Sequence, residues 1–439
     1  MKSIFKKAIV ALLTLESRAV LRKYHPKVVA VTGSVGKTAT KDAVYQVLST
    51  RAHTRKSEKS FNSELGVPLT IIGAPNAWYN PFGWARNLFD GLFLILFKTR
   101  YPEWLVLEVG ADRPGDISSI AKWLTVDVAV ITRLPEVPVH VEFFSSPEAV
   151  VEEKASLVGA LKKDGALVLY AGDHEVQKLK NRAGERRVIT FGLNAEADVR
   201  AEDVALLFEE GKDPPAGGWP LGMQAKLVTG GVAVPIEVVG AAGAHALLPA
   251  LAAAAVGVVL DKKIEDITKA LESYDPPPGR MHLVRGIKDT TIIDDTYNSS
   301  PAAVTAALDA LKEVGTHAGT RKVAVLGDML ELGRHSAAEH KKVGAHAAEA
   351  CDLLLTVGFR ARDIAEGALD AGMPDKAILQ YEDARRAVRE LKNMLKQKDV
   401  VLVKGSQSIR MERVVEDIML EPERAGELLV RQDPEWKKR

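Results

Sequence analysis

The sequence predicts an α/β architecture. Short runs rich in Val, Ile and Leu recur along the chain, helical stretches separate them, and the alternation restarts after three consecutive prolines. VVAV (28–31) is too apolar for a half-exposed strand and suits a parallel strand covered on both faces. It leads through a Gly-containing turn into a helix from about Lys37. WLVLEV (104–109) and VDVAVIT (126–132) are further buried strands. EAVVEEKASLVGAL (148–161) has helical period and precedes the strand ALVLY (166–170). Residues 198–240 lack that period and contain PPAGG at 214–218, which predicts short β segments and loops. GAHALLPALAAAAVGVVL (243–260) is an apolar helix despite Pro249.

SYDPPPGR (273–280) marks the boundary, because three prolines remove backbone donors and favour an extended linker. Beyond it TTIIDDT (290–296), KVAVLG (322–327), DLLLTVG (352–358) and DVVLVKG (399–405) read as strands with helices between. The expected organisation is a basic amphipathic segment (1–27), a central unit (28–275) with a mainly parallel sheet, and a smaller Rossmann-like α/β unit (280–439).

Composition excludes several classes. The 439 residues hold 59 Lys+Arg against 58 Asp+Glu, so no overall basic field marks a nucleic-acid binder. With 46% hydrophobic and 27% charged residues the chain can bury full cores. A single cysteine, Cys351, cannot form an internal disulfide or a Cys-rich zinc site, and a reducing cytosol is expected. No apolar run reaches the roughly 18 residues of a spanning helix. Two segments come nearest. Residues 1–27 carry seven Lys/Arg, Lys2 among them, against Glu16, with Ile4, Ala8, Ala11 and Leu15 at helical spacing. Residues 74–102 are an apolar insertion with Trp78, Tyr79, Phe82 and Trp84 ahead of LFDGLFLILF (88–97). A signal peptide over 1–19 is disfavoured, because a phosphate-type motif follows at once.

That motif is Thr32-Gly33-Ser34-Val35-Gly36-Lys37-Thr38. Strand, glycine turn and helix start form a phosphate cradle: Gly33, Ser34 and Gly36 bring backbone N–H groups to phosphate oxygens, and the helix N-terminus adds positive potential. Lys37 would meet the β/γ-phosphates of ATP and Thr38 would bind Mg²⁺. The spacing is shorter than the usual loop, with Val31 where the first glycine would stand.

TGSVGKTATKD, FNSELGVPLT (61–70), LEVGADRPGDI (107–117), GRMHLV (279–284), DDTYNSSP (294–301), VLGDMLELG (325–333) and VKGSQSIRME (403–412) together resemble the Mur ligases, from about Val28 to about Met419. VLGDMLELG is most similar to the branch that joins D-Ala-D-Ala to a muramyl peptide in peptidoglycan precursor synthesis. The resemblance implies ATP-dependent amide synthesis through an acyl phosphate. It implies that Glu108 holds Mg²⁺ and that His140 helps bind a second Mg²⁺. It further implies that Lys154 carries a carbamate supporting the metals, and that Asn62 hydrogen-bonds the substrate or phosphate side. His245, Arg280 and Asp295 would approach ATP. Asp328, Met329 and Glu331, with Lys404 and Ser406, would meet the incoming amine from strand-end loops. A monomer without a nucleic-acid partner is expected.

Four departures stand out. Only 27 residues precede the first strand, too few for the domain that grips UDP in this branch. Ala39 replaces the usual Ser/Thr after Gly-Lys-Thr. Ala246 and Pro249 stand where the family has asparagines, the second of which reads adenine. The insertion 74–102 is the fourth. Segments 1–27 and 74–102 could meet an anionic membrane at its inner face or pack together as a small lobe over the active site. The alternatives in function are a Mur-type ligase with another acceptor or amine, such as a lipid-linked muropeptide or folate polyglutamate, and a non-catalytic nucleotide-gated membrane module.

Overall fold

The computed structural model describes residues 3–58, 61–78, 80–209, 218–318 and 320–437. Lys2, Tyr79 and residues 214–217 of the PPAGG run lie outside the described residues. Two sheets form the body. The first has the strand order β2-β3-β1-β4-β5-β6-β7-β8-β9. Its strands are β1 (Lys27–Thr32), β2 (Thr54–Lys56), β3 (Trp104–Glu108), β4 (Val126–Ile131), β5 (Leu161–Tyr170), β6 (Arg187–Gly192), β7 (Val199–Phe208), β8 (Pro220–Thr229) and β9 (Val232–Val239). The pairs from β2 through β7 are parallel, and β7-β8-β9 continue as an antiparallel meander.

β1 lies centrally between β3 and β4, so the chain leaves it to opposite sides. That switch opens a crevice at the strands' carboxyl ends. Register pairs Val31 with Glu108 and Thr32 with Ile131, which fixes the Glu108 carboxylate beside the glycine turn.

Helices α1 (Ser3–Tyr24), α2 (Lys37–Ser49), α3 (Gly66–Ile72), α4 (Pro81–Leu96), α5 (Asp116–Ala121), α6 (Pro147–Ala155), α7 (His174–Lys178), α8 (Leu248–Val259) and α9 (Ile264–Leu271) accompany the first sheet. α6 is capped by the Ser146 hydroxyl, which accepts from Ala149 N. It is shorter than the expected helix over 148–161: a 3-10 turn (Ser156–Ala160) follows, and Leu161 already enters β5. The apolar stretch at 243–260 divides as well, into a 3-10 turn (Ala244–Leu247) and α8. Pro249 falls in the first turn of α8, where no backbone donor is required. The short β segments expected over 198–240 are ten-, ten- and eight-residue strands. Gly230-Gly231, both at positive φ, turn β8 into β9.

The second sheet has the order β10-β11-β15-β12-β13-β14, from β10 (His282–Gly286), β11 (Thr290–Asp295), β12 (Lys322–Gly327), β13 (Leu353–Val357), β14 (Ile378–Tyr381) and β15 (Val400–Lys404). All pairs except β10-β11 are parallel. Its layers include α10 (Pro301–Ala318), α11 (Ser336–Ala350), α12 (Arg362–Asp370), α13 (Ala384–Met394) and α14 (Glu412–Ile418). The proline linker is pinned rather than loose: Tyr274 is buried and its hydroxyl donates to Ala39 O on α2 at 3.4 Å. Backbone bonds from Ala242 N to Met281 O and from Leu283 N to Gly240 O stitch the two sheets' surroundings together.

α1 and α4 pack with α3 around Ile9, Leu13, Leu69, Ile72 and Trp84. The stripe singled out in the sequence is not the packed one: Ala8, Ala11 and Leu15 face solvent, while Ile9, Leu13, Ser17 and Val20 are buried. This lobe lies beside the β2-β3 edge, and neither α1 nor α4 lines the central cleft.

Candidate active site

A cavity of about 640 Å³ opens where the carboxyl ends of the two sheets face each other. Its floor is the turn after β1. Gly33 has φ 144°, and a Cβ there would lie 2.0 Å from Thr132 Oγ1, so only glycine lets the loop pass this close. Gly36 at φ 88° turns the chain into α2, whose first residues, Lys37 to Thr40, line the cleft. Lys37 Nζ donates to Gly33 O at 2.9 Å and folds across the loop.

Charges of one sign converge here. Burial is the main cause pulling Lys37 below the ordinary lysine range; Glu108 opposes it, and Arg280 from the second unit adds to it. Burial, followed by the charge of Lys37, lowers the fully buried Lys154 to about 7. Arg280 stacks over Tyr297 at 4.0 Å, and its Nε is buried with no hydrogen-bond partner. A pocket in which cations depress one another is built for an anion.

Glu108 supplies the opposite charge. It is buried at the end of β3, its backbone N–H donates to Ser57 Oγ at 3.1 Å, and Oε1 accepts from Asn62 Nδ2 at 3.3 Å. Oε2 is buried and has no partner, as is Ser34 Oγ. An unpaired carboxylate oxygen in such a place fits a cation. No group of three His, Cys, Asp or Glu side chains suited to a metal occurs among the described residues. Glu108 and Thr38 would therefore hold Mg²⁺ with phosphate oxygens and water completing the shell, the usual habit of that ion.

His140 stands at φ 71° between two carboxylates. Its Nδ1 is 2.6 Å from Glu331 Oε2 and its Nε2 is 3.5 Å from Asp112 Oδ1. Glu331 belongs to the loop after β12, and Glu142 N also donates to Glu331 O at 3.2 Å. In this conformation His140 joins the two units.

The sequence-predicted residues divide between cleft and support. Ser34, Gly36, Lys37, Thr38, Asn62, Glu108, His140, His245, Arg280, Asp295, Glu331, Lys404 and Ser406 border the cavity; Gly33, Lys154, Asp328 and Met329 stand behind it. Asp328 Oδ1 accepts from Ala361 N at 2.8 Å, and Met329 N donates to His340 Nε2 at 3.0 Å, so both shape the loop. Lys404 is buried in an ion pair with Asp295 at 2.6 Å and donates to Asn298 O at 2.8 Å. Ser406 Oγ accepts from Leu330 N at 2.9 Å.

At the far end the cavity is more apolar, between Tyr170, Phe191, Ala246 and Pro249. His245 lies there, pushed down to about 4 by burial and then by Arg133, and is neutral at pH 7. Arg133, Tyr170, Phe191, Asn298, Arg410 and Trp436 line the cleft although the sequence reading did not select them. Tyr170 and Arg133 had a signal, since both end or follow parallel strands. Trp436 had none.

Two family profiles match the chain: the Mur ligase middle domain over residues 91–257, and "Mur ligase, glutamate ligase domain" over residues 279–407. The UDP-N-acetylmuramoyl-tripeptide--D-alanyl-D-alanine ligase of Bacillus subtilis is 29% identical over 407 residues, covering 92% of this chain and 79% of its own. That of Escherichia coli is 27% identical, covering 89% and 76%. Among solved structures, MurF from Acinetobacter baumannii superposes with a TM-score of 0.75 at 26% identity, over 93% of this chain and 80% of the other. MurF from Thermotoga maritima in complex with ADP gives 0.74 at 27% identity, over 93% and 83%. Folylpolyglutamate synthase from Thermotoga maritima, at 14% identity and 0.57, shares the fold. With both profiles in chain order, the motifs in place and the phosphate loop at the junction of two sheets, the chain belongs to the Mur ligases, ATP-dependent enzymes that form amide bonds.

Proposed function

We propose that this enzyme joins D-Ala-D-Ala to a muramyl peptide, the reaction named for its relatives in Bacillus subtilis and Escherichia coli. The observation that carries the reading is the convergence of Lys37, Arg280 and the unpartnered Glu108 Oε2 on one cavity between the sheets. Two anions must meet there, and cations offset their repulsion. An oxygen of the peptide carboxylate attacks the γ-phosphorus and ADP leaves with the bond electrons. The dipeptide's amine then attacks the acyl carbon. The tetrahedral adduct loses its proton and collapses, releasing phosphate and leaving the amide.

In this reading Lys37 and the α2 N-terminus brace the transferring phosphoryl group, and Arg280 closes on it from the second unit. Mg²⁺ on Glu108 and Thr38 would neutralise phosphate charge, and Asn62 orients Glu108. The apolar end with Tyr170, Phe191 and neutral His245 takes the purine without the missing asparagines. Lys154, with a pKa of about 7, holds a neutral amine in slightly basic solution. That is the form which adds CO₂ to give a carbamate, whose negative charge would relieve the crowded cations. Asp295 and Lys404 position the Arg280 side of the cleft, and the Glu331–Ser406 loops face the incoming amine. We take the enzyme to act as a monomer in the cytoplasm.

Phosphate release with ATP, a muramyl tripeptide and D-Ala-D-Ala tests the reading. Turnover should require all three. Turnover with a single amino acid, but none with the dipeptide, refutes the dipeptide assignment while leaving the amide chemistry.

A further inference from the structure

The small helical lobe has an outer side that the cleft does not use. α1 and α4 lie side by side with their carboxyl ends together: Lys23 Nζ donates to Leu94 O and Ile95 O at 2.9 and 3.0 Å, and Tyr24 Oη to Leu94 O at 3.0 Å. Farther back, a Cβ on Gly91 would strike Glu16, so the helices touch closely. Each then presents a second apolar stripe outward. On α1 it runs through Phe5, Leu12 and Leu15. On α4 it runs through Phe82, Phe89, Leu92 and Leu96, at the seven-, three- and four-residue spacings of one helix face. Phe82 is 85% exposed, Phe89 66%, Leu96 64% and Leu15 60%. Isolated exposed apolar residues are ordinary; two stripes on adjoining helices are a patch that asks for a partner.

Charge says which partner. Residues 5–24 and 81–100 contain eight Lys/Arg against two acids, although the whole chain is at +1. One of the acids, Glu16, is pushed up to about 7 by burial, and the other, Asp90, lies 3.8 Å from Arg86. A second copy would bring like charges together, which opposes self-association. An anionic lipid surface instead gains about 1 kcal/mol per Lys/Arg held near it, and its interface accepts Phe, Leu and Trp side chains. No helix among the described residues is long and apolar enough to cross a membrane, which leaves attachment from one side.

We propose that α1 and α4 dock this enzyme on an anionic membrane leaflet, lying in the interface with Phe82, Phe89, Leu92, Leu96 and Leu15 inserted. The inference does not depend on which amide bond the cleft makes, and because neither helix lines the cleft, docking and catalysis can be broken separately.

Flotation of the full chain with vesicles of phosphatidylglycerol and phosphatidylcholine, in a ratio of roughly 3:7, tests it against vesicles of phosphatidylcholine alone. The protein should float with the anionic vesicles, less with neutral ones, and less as salt rises. The double variant Phe89→Glu, Leu92→Glu should weaken partition at least about tenfold. Its melting temperature and its ATP turnover in solution should stay as in the parent. Failure to float at low salt, or flotation that the double variant leaves unchanged, overturns the proposal. So does concentration-dependent self-association that the variant abolishes in a protein that never binds vesicles, since the face would then belong to a second copy.

Discussion

The loops at the ends of the two sheets face one cavity, but they are built on opposite principles. After β1 and β3, Glu108 Oε2 and Ser34 Oγ are buried without partners, and the charge of Lys37 adds to burial in depressing Lys154. After β11, β12 and β15 the residues that shape the loops are satisfied internally: Asp295 by Lys404, Asp328 by Ala361 N, Ser406 by Leu330 N. The exceptions are Asp294 Oδ2, Ser299 Oγ and the Arg280 Nε, and of these Ser299 and Arg280 line the cavity. Unpaired buried polar groups cost free energy, so the first side is poised for ligand, whereas the second is a framework that holds its shape alone. Substitutions should therefore damage binding and chemistry on the first side and stability on the second.

The largest effect is expected for Lys37→Ala. Removing the cation that braces the transferred phosphoryl group should lower kcat at least about 100-fold with little change in melting temperature. Steady-state phosphate release and thermal melts check both halves. Glu108→Gln keeps the shape and removes the charge. It should raise the Mg²⁺ concentration for half-maximal turnover by about 10- to 100-fold, measured by Mg²⁺ titration at saturating ATP. Lys404→Met should do the reverse. It leaves Asp295 buried and unpaired, and denaturant unfolding should show a loss of about 3–5 kcal/mol. Adding Asp295→Asn should recover part of that.

The smallest effect is a slope. Lys154 titrates near 7 in the fold and at the ordinary 10.5 when unfolded, so between these values the unfolded chain binds more protons. Stability in CO₂-free buffer should rise as pH increases through that window, and the Lys154→Met variant should show a flatter dependence. Equal slopes for both proteins would mean that Lys154 is not desolvated.

Much of this arrangement is legible in the residues. VVAV, WLVLEV and VDVAVIT are apolar throughout because both faces of a parallel strand are covered, and the glycine turn and Glu108 sit at their ends for the same reason. What is not legible depends on tertiary contacts. β2 has only three residues, and β14 is four residues whose side chains are mostly half-exposed, so neither carries a strong pattern. The stripe read on α1 was real but faced outward, because periodicity reports an apolar face and not what covers it. Lys404 looked like a substrate contact from its strand-end position; its ion pair with Asp295 joins residues 109 apart in sequence. Trp436 reaches the cleft through Arg410, which donates to its carbonyl at 2.8 Å, a contact no local signal announces.

The central claim is that the cavity brings a carboxylate onto the terminal phosphorus of ATP. It is tested most directly by running the reaction with ¹⁸O in the reacting carboxylate of the muramyl peptide and weighing the released phosphate. The account predicts one labelled oxygen in each phosphate formed. Phosphate free of label, with amide still produced, would contradict it.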